Sequence, residues 1–260
     1  MDKLLVVKLG GKVLEDEELL HDFVAYFAAY PQPKILIHGG GKQASSLAQQ
    51  MGVIPQMIDG RRVTDGPMLD IALMTYAGLL NKKLVAQINA KEEKAVGLCG
   101  ADANLITAHK RPVGEIDYGY VGDIQSVQAE NFQSLLQAGL TPVICALTHD
   151  GQGQILNTNA DSIANAIAQA MQPFYEVELW LCMDLPGVLL DINDPDSILT
   201  EISEKTYENL KNDGVVHKGM LPKLEAAFDS LSKGVQTIYI SNTTALLHPQ
   251  HKKTQITSTI

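Results

Sequence analysis

Short aliphatic runs and amphipathic stretches alternate along this chain. Leu4–Leu9, Ile35–Ile37, Ala95–Leu98, Pro142–Ala146, Val177–Cys182 and Thr237–Ile240 are nearly unbroken apolar runs of strand length, and they predict buried strands. Between them, residues 16–30, 42–51, 67–77, 81–90, 129–138, 161–170, 203–212 and 220–232 carry apolar side chains at helical spacing, several with Asp, Asn or Ser near the start. The alternation predicts an α/β fold: an open, mainly parallel sheet in an α/β/α sandwich. Three segments interrupt it and read as inserted β-hairpins: 54–64, 105–109 with 118–121, and 147–156 around Asp150-Gly151-Gln152-Gly153. Hairpins inserted between sheet elements suit lids and substrate walls. A change of composition at Gln172-Pro173-Phe174 predicts two lobes, 1–173 and 174–260.

Composition narrows the function classes. At 260 residues, with 45% hydrophobic and 19% charged side chains, the chain resembles an ordinary globular protein able to bury a sizeable core. The net charge of −10 argues against a nucleic-acid partner and requires any anionic substrate to be met by locally placed cations. The first apolar run breaks at Lys8, too early for a signal-peptide core, and no stretch reaches the length of a membrane span. A cytoplasmic protein is expected. Cys99, Cys145 and Cys182 are widely spaced in apolar contexts and read as buried free thiols without chemistry.

Candidate chemistry lies where strands run into glycines. The first strand passes through Lys8 into Gly10-Gly11, and the second ends in His38-Gly39-Gly40-Gly41. Glycine lets backbone N–H groups approach an anion closely, a following helix adds the positive end of its dipole, and Lys8 would supply a full charge. Gly39-x-Gly41-x-x-Ala44 satisfies a loose dinucleotide fingerprint, but the matching acidic residue, Asp59, falls in a hairpin; a Walker A loop is absent. Arg61-Arg62 lies near the glycines, where an arginine can clamp a carboxylate through two parallel hydrogen bonds. Asn157-Thr158-Asn159-Ala160-Asp161 stands between a hairpin and a helix, so Asn159 is either a helix cap or a substrate ligand. Asp184 follows a strand end, where a nucleotide or its metal could reach it. Lys223 opens a helix against the preference of the helix dipole, which hints at function. His38 reads as a satisfied histidine at a strand end, with an acid–base role as the alternative.

With these residues in place, the chain resembles the amino-acid kinase family, specifically its acylglutamate branch. The resemblance runs through Lys8-Leu9-Gly10-Gly11, His38-Gly39-Gly40-Gly41, Gly60-Arg61-Arg62-Val63-Thr64, Asn81-Lys82, Gly97-Leu98-x-Gly100-x-Asp102, Gly119-x-Val121-Gly122, Asn157-x-Asn159-Ala160-Asp161, Asp184-x-Pro186-Gly187-Val188 and Gly219-Met220-x-Pro222-Lys223. It implies transfer of the γ-phosphoryl group of ATP, with Mg2+, to the side-chain carboxylate of an N-acyl-L-glutamate. In that scheme Lys8 and Lys223 stabilise the transferring group and Asp161 holds both lysines. Gly40 and Gly41, with Arg62, Asn157 and Asn159, would bind the acylglutamate. Gly10, Gly11, Asp184, Leu185, Pro186, Gly187, Val188, Leu189, Val215, Val216 and His217 would line the nucleotide site. No metal ligand is expected from the protein. The first lobe would bind acylglutamate and dimerise, and the second would bind ATP.

Two positions depart from the family pattern. Met183 replaces a small residue in the expected nucleotide region, and Ala103-Asn104 follow Asp102 where the family has a glycine. The resemblance places that second loop near the acyl group. An N-succinyl substrate in place of N-acetyl would need an added cation, with Lys110 and Arg111 as nearby candidates. Arginine-inhibited relatives carry an extra N-terminal helix; because the first strand here begins at Lys3, a homodimer without arginine feedback is expected.

Overall fold

The computed structural model describes residues 1–58, 61–212 and 220–258. Its centre is one eight-stranded sheet. In chain order the strands are β1 (Lys3–Leu9), β2 (Lys34–His38), β3 (Ala95–Leu98), β4 (Thr141–Cys145), β5 (Glu176–Cys182), β6 (Glu201–Ser203), β7 (Thr237–Ser241) and β8 (Thr254–Thr257). They lie side by side as β6-β8-β7-β5-β1-β2-β4-β3. From β7 to β3 every neighbouring pair is parallel, and β8 runs antiparallel to β7. All six strands expected from the apolar runs are in this sheet.

Helices α1 (Glu17–Ala29), α2 (Gly41–Gln50), α3 (Gly66–Leu73), α4 (Asn81–Asn89), α5 (Ala129–Gln137), α6 (Ala160–Met171), α7 (Glu204–Asn212), α8 (Leu221–Ser232) and α9 (Thr243–Leu247) connect the strands. A π-helical stretch, Met74–Leu80, joins α3 directly to α4, so the two expected helices form one long rod. Asp16, Asp65, Asn159 and Asn242 each accept a backbone N–H at the start of a helix.

The two-residue period of β1 sorts its side chains between two core layers. Leu4 and Val6 pack with Ala44 and Ala48 of α2, Ile163 and Ile167 of α6, and Leu224 and Ala227 of α8. Leu5, Val7 and Leu9 pack on the opposite face with Phe23 and Phe27 of α1 and Leu84 and Ile88 of α4. The same alternation puts Lys8 on the face of Leu4 and Val6, under α6 and α8. Cys99, Cys145 and Cys182 are free and buried. Burial pushes the Cys182 thiol up to about 12, so it stays protonated at neutral pH.

One hairpin differs from expectation. Ile106–Lys110 pairs antiparallel with Gly122–Val127, not with 118–121. Segment 118–121 instead bridges two other elements, Gly119 meeting Thr64 and Val121 meeting Asn157. Glycine makes this threading possible. Gly119 has φ 71°, and a Cβ there would lie 2.2 Å from the Thr64 carbonyl oxygen; one on Gly122 would lie 2.7 Å from Thr158 Oγ1. The strands Ile106–Lys110, Gly122–Val127, Leu147–His149 and Ile155–Asn157 then make a separate four-stranded sheet. The hairpin of Met57–Ile58 with Arg61–Arg62 is as expected.

Candidate active site

The chemistry gathers at the C-terminal ends of β1 and β2, the usual position of a ligand in an open parallel sheet. Asp161 stands in the first turn of α6. One of its carboxylate oxygens meets Lys8 Nζ at 2.8 Å and the other receives Lys223 Nζ from the first turn of α8. One carboxylate thus bridges two ammonium groups that are 215 residues apart, as 223 − 8 gives. Burial alone would raise the Asp161 pKa, but the two lysine charges outweigh it and hold the carboxyl well below the usual carboxylate range.

A cleft of about 170 Å³ opens beside this triad, lined by Lys8, Gly11, Gly39, Gly40, Gly41, Asn159 and Asp161 among others. Typical small-molecule sites are larger, from roughly 300 Å³. The described part of the cleft therefore has the size of the reacting groups. Its glycines divide by cause. A Cβ on Gly10 would press on the Cys182 carbonyl oxygen at 3.2 Å, and one on Gly40 would lie 2.4 Å from Leu80 Cδ1, so packing accounts for both. A Cβ on Gly11 would meet nothing within 4 Å. The fold makes no steric demand at Gly11, which borders the open cleft.

Arg62 ties the small hairpin to this cleft. Its Nη2 donates to the Gly41 carbonyl at 2.7 Å and to Ser45 Oγ at 2.8 Å. Asn157 Nδ2 donates to Thr64 Oγ1 at 3.0 Å, which donates in turn to the Arg62 carbonyl. Arg62, Thr64 and Asn157 are therefore joined beside the triple glycine. Asn159 caps α6, with its Oδ1 accepting from the Asp161 and Ser162 N–H groups. The cap fixes the turn that carries Asp161.

The remaining expected residues lie farther along the sheet edge. Asp184 is exposed, Leu185 and Pro186 are half-buried, and Gly187, Val188 and Leu189 are buried. Val188 and Leu189 pair with Ile198–Leu199 in a short ribbon, and Val188 N–H donates to Thr254 Oγ1. Met183 and Asp184 also border a larger cleft of about 380 Å³ with Lys12, Asp16, Glu18, Asp22 and His248. Four carboxylates against one lysine make that cleft a poor host for a polyphosphate. Val215, Val216 and His217 lie outside the described residues. Arg111 is held by Asp123 through several hydrogen bonds, and Lys110 sits 4.9 Å from the Tyr120 ring centre. Ala103 and Asn104 both adopt left-handed backbone, φ 47° and 54°, so the glycine-less loop keeps that conformation.

Three contributors escaped the sequence reading. Ser45 shares the Arg62 guanidinium. Asn165 and Ser230, both buried, tie α6 to α8: Ser230 Oγ donates to Asn165 Oδ1 at 2.6 Å, while Asn165 Nδ2 donates to the Asp161 carbonyl at 2.8 Å. An asparagine inside Ile163-Ala164-Asn165-Ala166-Ile167 was the available signal, since it sits on an apolar stripe four residues after Asp161.

The parallel sheet, the glycine turns at its strand ends and the lysine-bridging aspartate together describe a phosphotransferase site. The chain belongs to the amino acid kinase family, whose model matches residues 3–242. Among its relatives, acetylglutamate kinase of Cytophaga hutchinsonii is 44% identical over 95% of this chain and 94% of its own. Acetylglutamate kinase of Parabacteroides distasonis is 45% identical over 93% of this chain and 94% of its own. A solved structure, smu.665 from Streptococcus mutans UA159, superposes with a TM-score of 0.81 at 24% identity, covering 98% of each chain.

Proposed function

We propose that this protein uses ATP to phosphorylate the side-chain carboxylate of N-acetyl-L-glutamate, forming the acyl phosphate in arginine biosynthesis. The observation that carries the reading is Asp161 holding Lys8 and Lys223 at the mouth of a glycine-lined cleft. A carboxylate oxygen of the substrate forms a bond to the γ-phosphorus as the bond from that phosphorus to the ADP oxygen breaks. The nucleophile is already ionised at neutral pH, so no general base is required. Its approach is opposed by charge: two unit charges about 4 Å apart repel by roughly 4 kcal/mol at an effective dielectric near 20. Two fixed ammonium groups and the backbone N–H groups of the glycine turns offset that repulsion without reorganising during the step.

Arg62 and Asn157 hold the α-carboxylate end of the acylglutamate, supported by their linkage through Thr64 beside Gly41. The nucleotide lies along 184–189, with its phosphates toward Gly10 and Gly11. Mg2+ would enter with ATP and offset part of its phosphate charge, since no cluster of His, Cys, Asp or Glu among the described residues could hold the ion by itself. Asp161 suits this arrangement because two ammonium groups already occupy its carboxylate, leaving the cleft rich in groups that attract phosphate. The acylglutamate lobe is 1–173 and the ATP lobe 174–260, and the triad spans the two. Dimerisation falls to the first lobe, which exposes Met51, Ile54, Met57, Leu73, Met74 and Leu79. No described helix is long and apolar enough to cross a membrane.

The test is to replace each lysine in turn. Lys8→Ala or Lys223→Ala should cost on the order of 3 kcal/mol in the barrier, about a hundredfold in kcat. Unchanged turnover in Lys8→Ala would remove the assignment.

A further inference from the structure

His38 ends β2 immediately before the triple glycine and is fully buried. Both ring nitrogens are engaged. Nδ1 lies 2.8 Å from the Gly39 carbonyl oxygen, and Nε2 lies 3.1 Å from Asn81 Nδ2. The neighbours settle the tautomer. A carbonyl oxygen can only accept, so Nδ1 carries the proton. The Asn81 amide is oriented independently, because its Nδ2 donates to the Val143 carbonyl at 2.9 Å and its Oδ1 accepts from Lys82 Nζ at 3.1 Å. Its second amide hydrogen therefore goes to Nε2, which must be bare. Gly97 leaves the room for this amide, since a Cβ there would lie 2.0 Å from Asn81 Oδ1. Burial, together with the Lys82 charge, lowers the ring pKa to about 4 against the opposing pull of the Gly39 carbonyl, so the imidazole is neutral at physiological pH.

The consequence passes through the backbone. The peptide unit joining Gly39 to Gly40 is planar and trans, so its C=O and N–H point in opposite directions. Its oxygen is drawn inward to a buried ring, which turns the Gly40 N–H outward, and Gly40 lines the cleft beside Lys8 and Asp161. Among the described residues that N–H has no protein acceptor. Tyr76 and Leu80 pack directly behind Gly40 and block the turn from moving back.

We propose that His38 is a positioning residue for phosphoryl transfer: by donating from Nδ1 to the Gly39 carbonyl it aims the Gly40 N–H at the transferring group, while Asn81 fixes the tautomer that permits this. The inference rests on the kinase reading above, so wild-type turnover with ATP and N-acetyl-L-glutamate is measured first; its absence counts against that reading and not against the His38 geometry. Two variants then separate the ring's contacts. His38→Asn puts an amide N–H near the Nδ1 position and keeps the Gly39 bond, whereas His38→Gln reaches toward Asn81 and gives the Gly39 bond up. We expect kcat within about threefold of wild type for His38→Asn and a fall of at least about tenfold for His38→Gln, with KM for acylglutamate moving less than about threefold in both and similar melting temperatures. Equal losses in the two variants, or full kcat in His38→Gln, would overturn the proposal. If either variant fails to fold, imidazole ¹⁵N shifts of the wild-type protein decide: His38 protonated at Nδ1 and bare at Nε2 supports the proposal, and the opposite tautomer rejects it.

Discussion

Replacing Asp161 with Asn removes one charge from the cleft while keeping the side chain's shape. In the native site the carboxylate meets Lys8 Nζ at 2.8 Å and Lys223 Nζ through its other oxygen, with side chains only 14%, 13% and 27% exposed. Unit charges at that spacing attract by about 6 kcal/mol before solvation is counted, at an effective dielectric near 20. Much of that offsets dehydration, and breaking a buried pair costs about 3–5 kcal/mol because it strands the partner. These lysines can partly turn toward water, so about 3 kcal/mol is the expected cost to stability. The rate should fall by about a hundredfold, since both ammonium groups lose their common tether and each acts as a preorganised charge. Nucleotide affinity should move differently. Two uncompensated cations attract a polyphosphate more strongly, so binding of Mg·ATP should hold or tighten. ADP release gives kcat, titration calorimetry gives the ATP affinity, and urea unfolding gives the stability. A kcat within threefold of wild type, or a loss of ATP affinity as large as the loss of kcat, would refute the role of Asp161 as a tether for lysines.

Two further outcomes follow from single residues. Ala103 sits at φ 47°, where a side chain is strained, so Ala103→Gly should stabilise the protein by about 1 kcal/mol, read as a shift in the urea midpoint. His38 has a folded pKa of about 4 against an ordinary 6.5, so the unfolded chain binds its proton first as pH falls. Its contribution is complete above about pH 6.5 and should decline by about 3 kcal/mol toward pH 4; His38→Asn should lose that part of the pH slope in unfolding measured at pH 7 and 4.5.

The sheet was legible because its central strands are buried on both faces and leave nearly continuous apolar runs, as in Leu4–Leu9 and Val177–Cys182, each broken by one charged residue. The two strands beyond Thr237–Ser241 leave weaker traces: Glu201–Ser203 and Thr254–Thr257 are short and partly polar, and the apolar pattern predicts neither. The expected partner of Ile106–Lys110, 118–121, stops where the true partner begins at Gly122, because Gly119 and Gly122 let 118–121 thread between Thr64 and Thr158 instead of pairing as a hairpin. Lys8, Asp161 and Lys223 were legible as a group only through the family resemblance. Spacing alone says nothing about residues brought together by strand alternation in β1 and by the first turns of α6 and α8. Asn165 and Ser230 behind Asp161, and Ser45 against Arg62, are ordinary polar residues whose roles depend on helix packing.

The most direct test of the account is hydroxylamine trapping of acyl phosphate formed from ATP and Mg2+, run in parallel on N-acetyl-L-glutamate and N-succinyl-L-glutamate. The account predicts ATP-dependent hydroxamate with N-acetyl-L-glutamate at the higher kcat/KM, abolished or nearly so in Lys8→Ala. Hydroxamate with neither substrate, from folded protein that binds ATP, would contradict it.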